Sequence, residues 1–340
     1  DSLSSLGPGA QGIPELREEI CAYYKKRFRL DYSLNQVVVG CGAKPCIYEA
    51  LASIIDPGDE VIVLAPTWVS YLEQIQLLEG KVVVVDTQDK GFVPALEEIE
   101  ALITERTVAI LLNSPSNPTG VMLDPDTIKG IGEITMKHDL WLLWDEIYER
   151  LVYGEAKHYN AIQVLPELIS RTIIFNGVSK GYAMTGWRIG YVIAPKELAA
   201  KINAFQGHLT SNPSSIAQWA AVGVMRNSEE DVARMREIFH QRRDLICDLL
   251  NEMPHITFPK PDGAFYVFVN IQECIGKSFE GRLIEDDLSF CSALLDAELV
   301  AVVPGSAFLA PGYLRVSYAS SSQVIEEGMK RLKRFLEKIK

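Results

Sequence analysis

The sequence predicts an α/β protein in which a large domain, built on a mostly parallel sheet flanked by helices, precedes a smaller α+β domain. Three observations carry that expectation. Short apolar runs alternate with longer amphipathic segments, the first five runs lack the polar/apolar alternation of a half-exposed strand, and the patterning changes near residue 243. Runs that are apolar on both faces belong to strands covered by helices on both sides.

The opening "DSLSSLGPGAQG" is rich in Gly and Ser and reads as loop over residues 1–11. "IPELREEICAYYKKRF" reads as helix, because Pro14 suits a first turn and Leu16, Ile20, Tyr23 and Tyr24 share a face. Seven strand candidates follow: "QVVVG", "EVIVLAP", "KVVVVD", "TVAILLNS", "LWLLWDE", "TIIFNG" and "YVIAP". The first five are expected to be buried on both faces. Residues 12–243 form the large domain in this reading. From "EEDVARMREIFHQRRDLICDLLNEM" a long amphipathic helix leads to "ITFPKPDGAFYVFVNI", "LVAVVPGSAF", "YLRVSYA" and a closing helix ending "RLKRFLEKIK". Strand runs here are fewer and more alternating, which gives the smaller domain over residues 244–340.

A chain of 340 residues, 48% hydrophobic and 23% charged, has the balance of a soluble globular protein. Its net charge of −12 argues against general affinity for nucleic acid or an anionic membrane, so an anionic ligand would need locally placed cations. The six cysteines are scattered without a C-x-x-C, which favours reduced thiols, and the five histidines show no metal-ligand spacing. No apolar run approaches the ~20 residues of a membrane helix, and no signal peptide opens the chain. The expectation is a cytoplasmic enzyme or binding protein.

Open α/β sheets bind ligands beyond the carboxyl ends of their strands, so the polar residues that follow each run are the candidates. After "QVVV", a small-residue turn runs through Ala43 and Lys44 into a helix and offers backbone N–H groups to an anion. It lacks the spacing of a Walker loop, and tight turns into helices are common. Trp68 follows "EVIVLAP"; it could stack on a planar ligand or simply pack. Asn117 stands in "SPSNPTG", a rigid Pro-containing turn or a plain connection. Asp145, Glu146 and Tyr148 follow "LWLLW", where a carboxylate is costly unless something cationic meets it. Ser179 and Lys180 follow "TIIFNG", although a lone lysine is ordinarily a solvated surface residue. In "YLRVSYA", Leu314, Val316 and Tyr318 face one way while Arg315 and Ser317 face the other. Arg315 there suits a carboxylate clamp or an exposed ion pair. Together these signals describe one site with an anion-binding helix start, an acid, a phenol, a lysine, and two arginines counting Arg188. That inventory fits pyridoxal phosphate (PLP).

Gly177-Val178-Ser179-Lys180-Gly181 also matches the G-x-S-x-G of a serine-hydrolase elbow. The context opposes it: an elbow is strand, sharp turn, then helix, whereas "KGYAMTGWRIG" is a poor helix leading to another strand-like run.

"SPSNPTG", "DEIYE", "SKGYAMTGWRIGY", "DGAFYVF", "AVVPGSAF" and "LRVSYA" resemble the class I aminotransferases, PLP-dependent enzymes of fold-type I. "DPGDEVIVLAPTWVSY" is similar to the bacterial aspartate/prephenate aminotransferase branch, and the likeness runs from about Gly12 to the C-terminus. The resemblance implies Lys180 as the lysine bonded to PLP and as the catalytic base. It implies Asp145 against the pyridinium nitrogen, with Tyr148 and Asn117 on the ring's phenolate oxygen and Trp68 stacked on the ring. It further implies Ala43, Lys44, Ser179 and Arg188 around the phosphate. Arg315 would clamp the substrate α-carboxylate beside Asn117 and Trp68, and Lys44 would meet a distal carboxylate. The implied reaction is amino transfer between aspartate or glutamate and a 2-oxo acid, in a homodimer. An aromatic or prephenate aminotransferase, or a lyase or oxidase on the same fold, shares most of these residues. A non-catalytic PLP-fold regulator is opposed by the complete Lys180, Asp145 and Arg315 set. The family pattern also includes an N-terminal segment ahead of "GIPELREE" and a tyrosine directed at the neighbouring subunit's phosphate. "SSLGPGAQG" offers no match to that tyrosine, so the chain is expected to be incomplete or diverged.

Overall fold

The computed structural model describes residues 9–340; most of the expected opening loop, residues 1–8, lies outside the described residues. The seven apolar runs form seven strands: β1 (Val37–Gly40), β2 (Glu60–Ala65), β3 (Lys81–Asp86), β4 (Thr107–Asn113), β5 (Trp141–Asp145), β6 (Thr172–Gly177) and β7 (Gly190–Ile193). They make one sheet in the order β1-β7-β6-β5-β4-β2-β3. Pairing is parallel from β3 through β6, and β7 runs antiparallel to both β6 and β1. Residues 178–189 explain the reversal. They hold only a short 3-10 turn, Thr185–Trp187, and a parallel crossover needs a helix-sized connection.

Alternate residues of the central strands feed two cores. Ile62, Ile110, Leu112, Leu142 and Trp144 pack on one face with Leu16, Ile20 and Tyr24 of α1 (Pro14–Phe28). Val61, Val63, Ala109, Leu111 and Leu143 pack on the other, with Ile47 and Leu51 of α2 (Ala43–Ala52) and Tyr71 and Ile75 of α3 (Val69–Leu77). Helices on both faces account for the continuous apolar runs. One run departs from the expectation: "KVVVVD" is not buried on both faces, and Val84 is 40% exposed. Among the described residues β3 ends the sheet with β2 as its only neighbour, so its cover is incomplete.

The second unit has a three-stranded antiparallel sheet, with Tyr313–Ser317 between Val303–Pro304 and Tyr266–Asn270. Its core joins Val267, Val269, Leu314 and Val316 to Phe290, Leu294, Leu332 and Phe335. The helix Glu229–Asn251 runs unbroken across residue 243 and brings Ile246, Cys247 and Leu250 to that core.

α2 also carries a buried acid. Glu49 is 0% exposed, and among the described residues neither carboxylate oxygen has a hydrogen-bond partner. Gly40 lies beneath it, where a Cβ would come 2.5 Å from Cys46 Sγ, 2.8 Å from Gln206 Oε1 and 3.8 Å from Glu49 Oε2. Burial alone pushes the Glu49 carboxyl up from 4.5 to about 7. Its folded pKa exceeds the unfolded one, so the cost of ionising it is absent below pH 4.5 and grows until pH passes about 7. Glu49→Gln is therefore expected to melt a few degrees above the parent protein at pH 8. The gain should shrink towards pH 4.5 in calorimetric scans; a variant that melts lower at both pH values would contradict this account.

Candidate active site

The carboxyl ends of β1, β2, β4, β5 and β6 open onto one cavity of about 420 Å³. Ten residues singled out from the sequence line it: Ala43, Lys44, Trp68, Asn117, Asp145, Tyr148, Ser179, Lys180, Arg188 and Arg315. Glu146, the other acid after β5, does not, and accepts instead from Tyr24, Trp144 and Asn160.

One end is built for an anion. α2 begins directly after β1, its N-cap Gly42 supplies no side-chain cap, and Pro45 has no N–H. The N–H groups of Ala43 and Lys44 are thus open to an external acceptor, at the positive end of the helix dipole. Two glycines allow the approach. A Cβ on Gly190 of β7 would lie 2.1 Å from the Ala43 nitrogen, and one on Gly42 would lie 2.4 Å from Arg188 Nη2. Arg188, in the left-handed region at φ 55°, donates from Nη1 to the Thr185 carbonyl at 2.8 Å. Among the described residues it has no carboxylate partner. Ser179 is buried beside it.

Across the floor lies a buried carboxylate. Asp145 ends β5 at 3% exposure, accepting from the Tyr71 hydroxyl at Oδ2 (2.5 Å) and from the Ile147 N–H at Oδ1 (3.0 Å). Burial pushes its carboxyl up from 3.8 to about 6, against the pull of those two donors and of Lys180. Burial likewise holds the Lys180 amine below its usual range, helped by the charges of Arg188 and Arg315 and opposed by Asp145. The Lys180 Nζ stands 5.3 Å from the Phe265 ring and 5.9 Å from that of Tyr148.

Arg315 enters from the second unit. Its guanidinium lies between two rings, 4.6 Å from Tyr266 and 4.8 Å from Phe308, and Nη1 donates to Asn117 Oδ1 at 2.9 Å. Among the described residues its buried Nε has no hydrogen-bond partner. The hydroxyls of Tyr148 and Tyr266 share a 2.9 Å hydrogen bond. Lys44 extends over the Trp68 ring, with Nζ 4.8 Å from its centroid, and the edge of Trp68 meets Tyr71.

Sequence reasoning passed over Tyr71, Asn113, Ile147, Thr185 and Tyr266, which share the cavity. Asn113 could have been found by the same rule, since it ends β4. Tyr71 lies one helical turn beyond Trp68. No spacing signals the pairing of Tyr266 with Tyr148. The elbow reading of Ser179 fails: no helix follows it, and no histidine lines the cavity.

The sheet's carboxyl edge thus gathers a lysine, a buried carboxylate and two arginines around one cavity. A family model described as aminotransferase class I and II matches residues 4–332, and the chain belongs to that family. It is similar to the probable aspartate/prephenate aminotransferase of Rhizobium leguminosarum bv. phaseoli, at 44% identity over 95% of this chain and 82% of that protein. The crystal structure of the aspartate aminotransferase from Rhizobium meliloti matches with a TM-score of 0.95 at 38% identity, over 98% of this chain and 84% of that one. The aspartate aminotransferase from Thermus thermophilus with maleate matches at 0.90 and 37% identity, over 97% and 83%. The protein is accordingly an enzyme that transfers amino groups, in a family that implies PLP.

In the cofactor-free protein, the buried charge of Asp145 is a stability cost that appears as pH rises from 3.8 through about 6. An amide at this position can still accept from Ile147 and donate to the Tyr71 oxygen. Asp145→Asn is expected to raise the melting temperature of the cofactor-free protein at pH 8 while weakening its affinity for PLP. Thermal scans and a PLP titration read the two effects; an unchanged PLP affinity would contradict the place beside the ring nitrogen that the sequence resemblance implies for Asp145.

Proposed function

We propose that the cavity binds PLP and that the enzyme moves the amino group of aspartate or glutamate to a 2-oxo acid. The observation that carries this is the shared lining of one cavity by a half-buried lysine, a buried carboxylate and an arginine at a helix start that has no carboxylate partner among the described residues. The donor set fits the cofactor at three points. Ala43 and Lys44 N–H groups, Ser179 and Arg188 suit a phosphate dianion; Asp145, buried and without an ion-pair partner among the described residues, suits a protonated ring nitrogen; and Lys180 suits an aldehyde. Tyr148 and Asn117 would meet the ring's phenolate oxygen, and Trp68 its face.

When bound, PLP supplies an aldehyde that joins amines and a ring that takes up the electron pair left as the Cα proton departs. The chain's residues do the rest. Arg315, held between two rings and by Asn117, binds the α-carboxylate and fixes the direction of the Cα–H bond. Lys180 takes that proton at Nζ, whose pKa burial and two flanking guanidinium groups hold below its usual range. Lys44, over Trp68 at the cavity wall, faces the distal carboxylate of a dicarboxylic substrate. Names of the relatives favour aspartate, and maleate in the Thermus structure is itself a dicarboxylate. The same reading takes the enzyme as a cytoplasmic homodimer, for which exposed Trp187, Leu209, Ile216 and Trp219 offer apolar surface.

Purified protein mixed with PLP is expected to show the visible absorption band of lysine-bound cofactor, bleached by L-aspartate and restored by 2-oxoglutarate. Lys180→Ala should abolish the band; an identical spectrum from that variant would refute the assignment. Lys44→Ala should raise KM for aspartate about tenfold, the scale of one charge-assisted contact, and leave that for an aromatic amino acid nearly unchanged. Equal losses for both substrates in steady-state assays would remove Lys44 from substrate choice.

A further inference from the structure

We infer that Arg150 is a positioning residue for Lys180, propping from behind the turn that carries the reacting amine. This rests on the proposed role of Lys180. The turn, residues 178–184, has little internal support. Its own closing hydrogen bonds are long, Ala183 N to Lys180 O and Met184 N to Val178 O, both at 3.3 Å. Ala183 also adopts a left-handed φ of 53°. A segment so weakly bonded would leave a four-carbon side chain poorly aimed unless something outside it sets its path.

Arg150 supplies that constraint. The segment ending β5 gives Asp145, Ile147 and Tyr148 to the cavity, whereas Arg150 does not line it and packs against the back of the lysine turn. Gly181, next to Lys180, has no side chain, and a Cβ there would fall 2.7 Å from Arg150 Cγ and 3.1 Å from Arg150 Cβ. The arginine stem therefore occupies the space that the glycine leaves. Its guanidinium lies between Tyr23 of α1, at 5.8 Å, and Tyr182 of the turn itself, at 5.7 Å. Nη2 donates to Glu229 Oε1 at 2.8 Å, at the start of the helix leading to the unit that bears Arg315. Arg150 is thus 6% exposed and in contact with three separate segments. Glu229 is 74% exposed in its side chain, so that ion pair is the weakest of these contacts. The stem and the ring sandwich hold the turn.

Two measurements test this, one of which needs no cofactor. Hydrogen exchange of the cofactor-free protein is expected to show amides 178–184 exchanging about tenfold faster in Arg150→Ala, less so in Arg150→Met, and as in the parent in Arg150→Lys and Glu229→Gln. Amides of β4 and β5 should stay unchanged. In the loaded enzyme, turnover per mole of lysine-bound PLP is expected to fall about tenfold in Arg150→Ala, with KM for aspartate within about twofold and recovery in Arg150→Lys. Exchange that is unaltered, or raised equally across the sheet, overturns the inference. So does full turnover per bound cofactor in Arg150→Ala, since a merely structural role lowers cofactor content and melting temperature instead. A turn that loosens as expected, in a parent protein that neither binds PLP nor transaminates, upholds the prop and rejects the functional reading.

Discussion

The site depends on how closely β7 can approach the start of α2. Gly190 and Gly42 leave space that any Cβ would fill, against the Ala43 nitrogen in one case and the Arg188 guanidinium in the other. A guanidinium and a helix N-terminus are therefore brought to the same point, where both favour an anion. The reversal of β7 within a parallel sheet makes this possible. Residues 178–189 form no α-helix and only a 3-10 turn, so the chain turns straight back, and this connection becomes the bearer of Ser179, Lys180 and Arg188.

Charge then follows from position. Asp145 is buried and Lys180 half-buried, and loss of solvent shifts the carboxyl's pKa upward and the amine's downward. Neither can neutralise the other fully, because Arg188 and Arg315 add positive charge around the lysine. A protein with a net charge of −12 thus maintains a locally cationic cavity at the carboxyl edge of its sheet. Under the proposed function, an anionic, planar, nitrogen-containing ligand would relieve several of these costs together, its phosphate towards the cations and its ring nitrogen towards Asp145.

Much of this was legible in the sequence because buried parallel strands and their carboxyl ends obey local rules. Asp145, Lys180 and Asn117 each follow an apolar run, and Arg315 lies on the polar side of an alternating one. What was not legible depends on distant segments meeting. "KVVVVD" carries no mark of being the last strand of the sheet, since edge position is a property of topology rather than composition. Tyr71 meets Asp145 across 74 residues, and Tyr266 meets Tyr148 across 118. Arg150 reads in sequence as an ordinary charged residue; only the fold places its stem in the space beside Gly181.

The turn "SPSNPTG" shows why such meetings matter to chemistry. By itself it reads as a connection between β4 and the next helix. In the fold its Gly120 carbonyl accepts from the Asp262 and Gly263 nitrogens, at 3.1 and 3.0 Å, and at φ 70° Gly120 has no room for a Cβ beside Pro261. Asn117, three residues earlier, holds Arg315. One short turn therefore fastens the second unit to the sheet and, through the same contact, sets where that unit's arginine stands relative to Lys180. If Arg315 holds the substrate as proposed, backbone hydrogen bonds that never touch that substrate would place it, and the precision of the reacting geometry would be a property of the seam between the two units rather than of either alone.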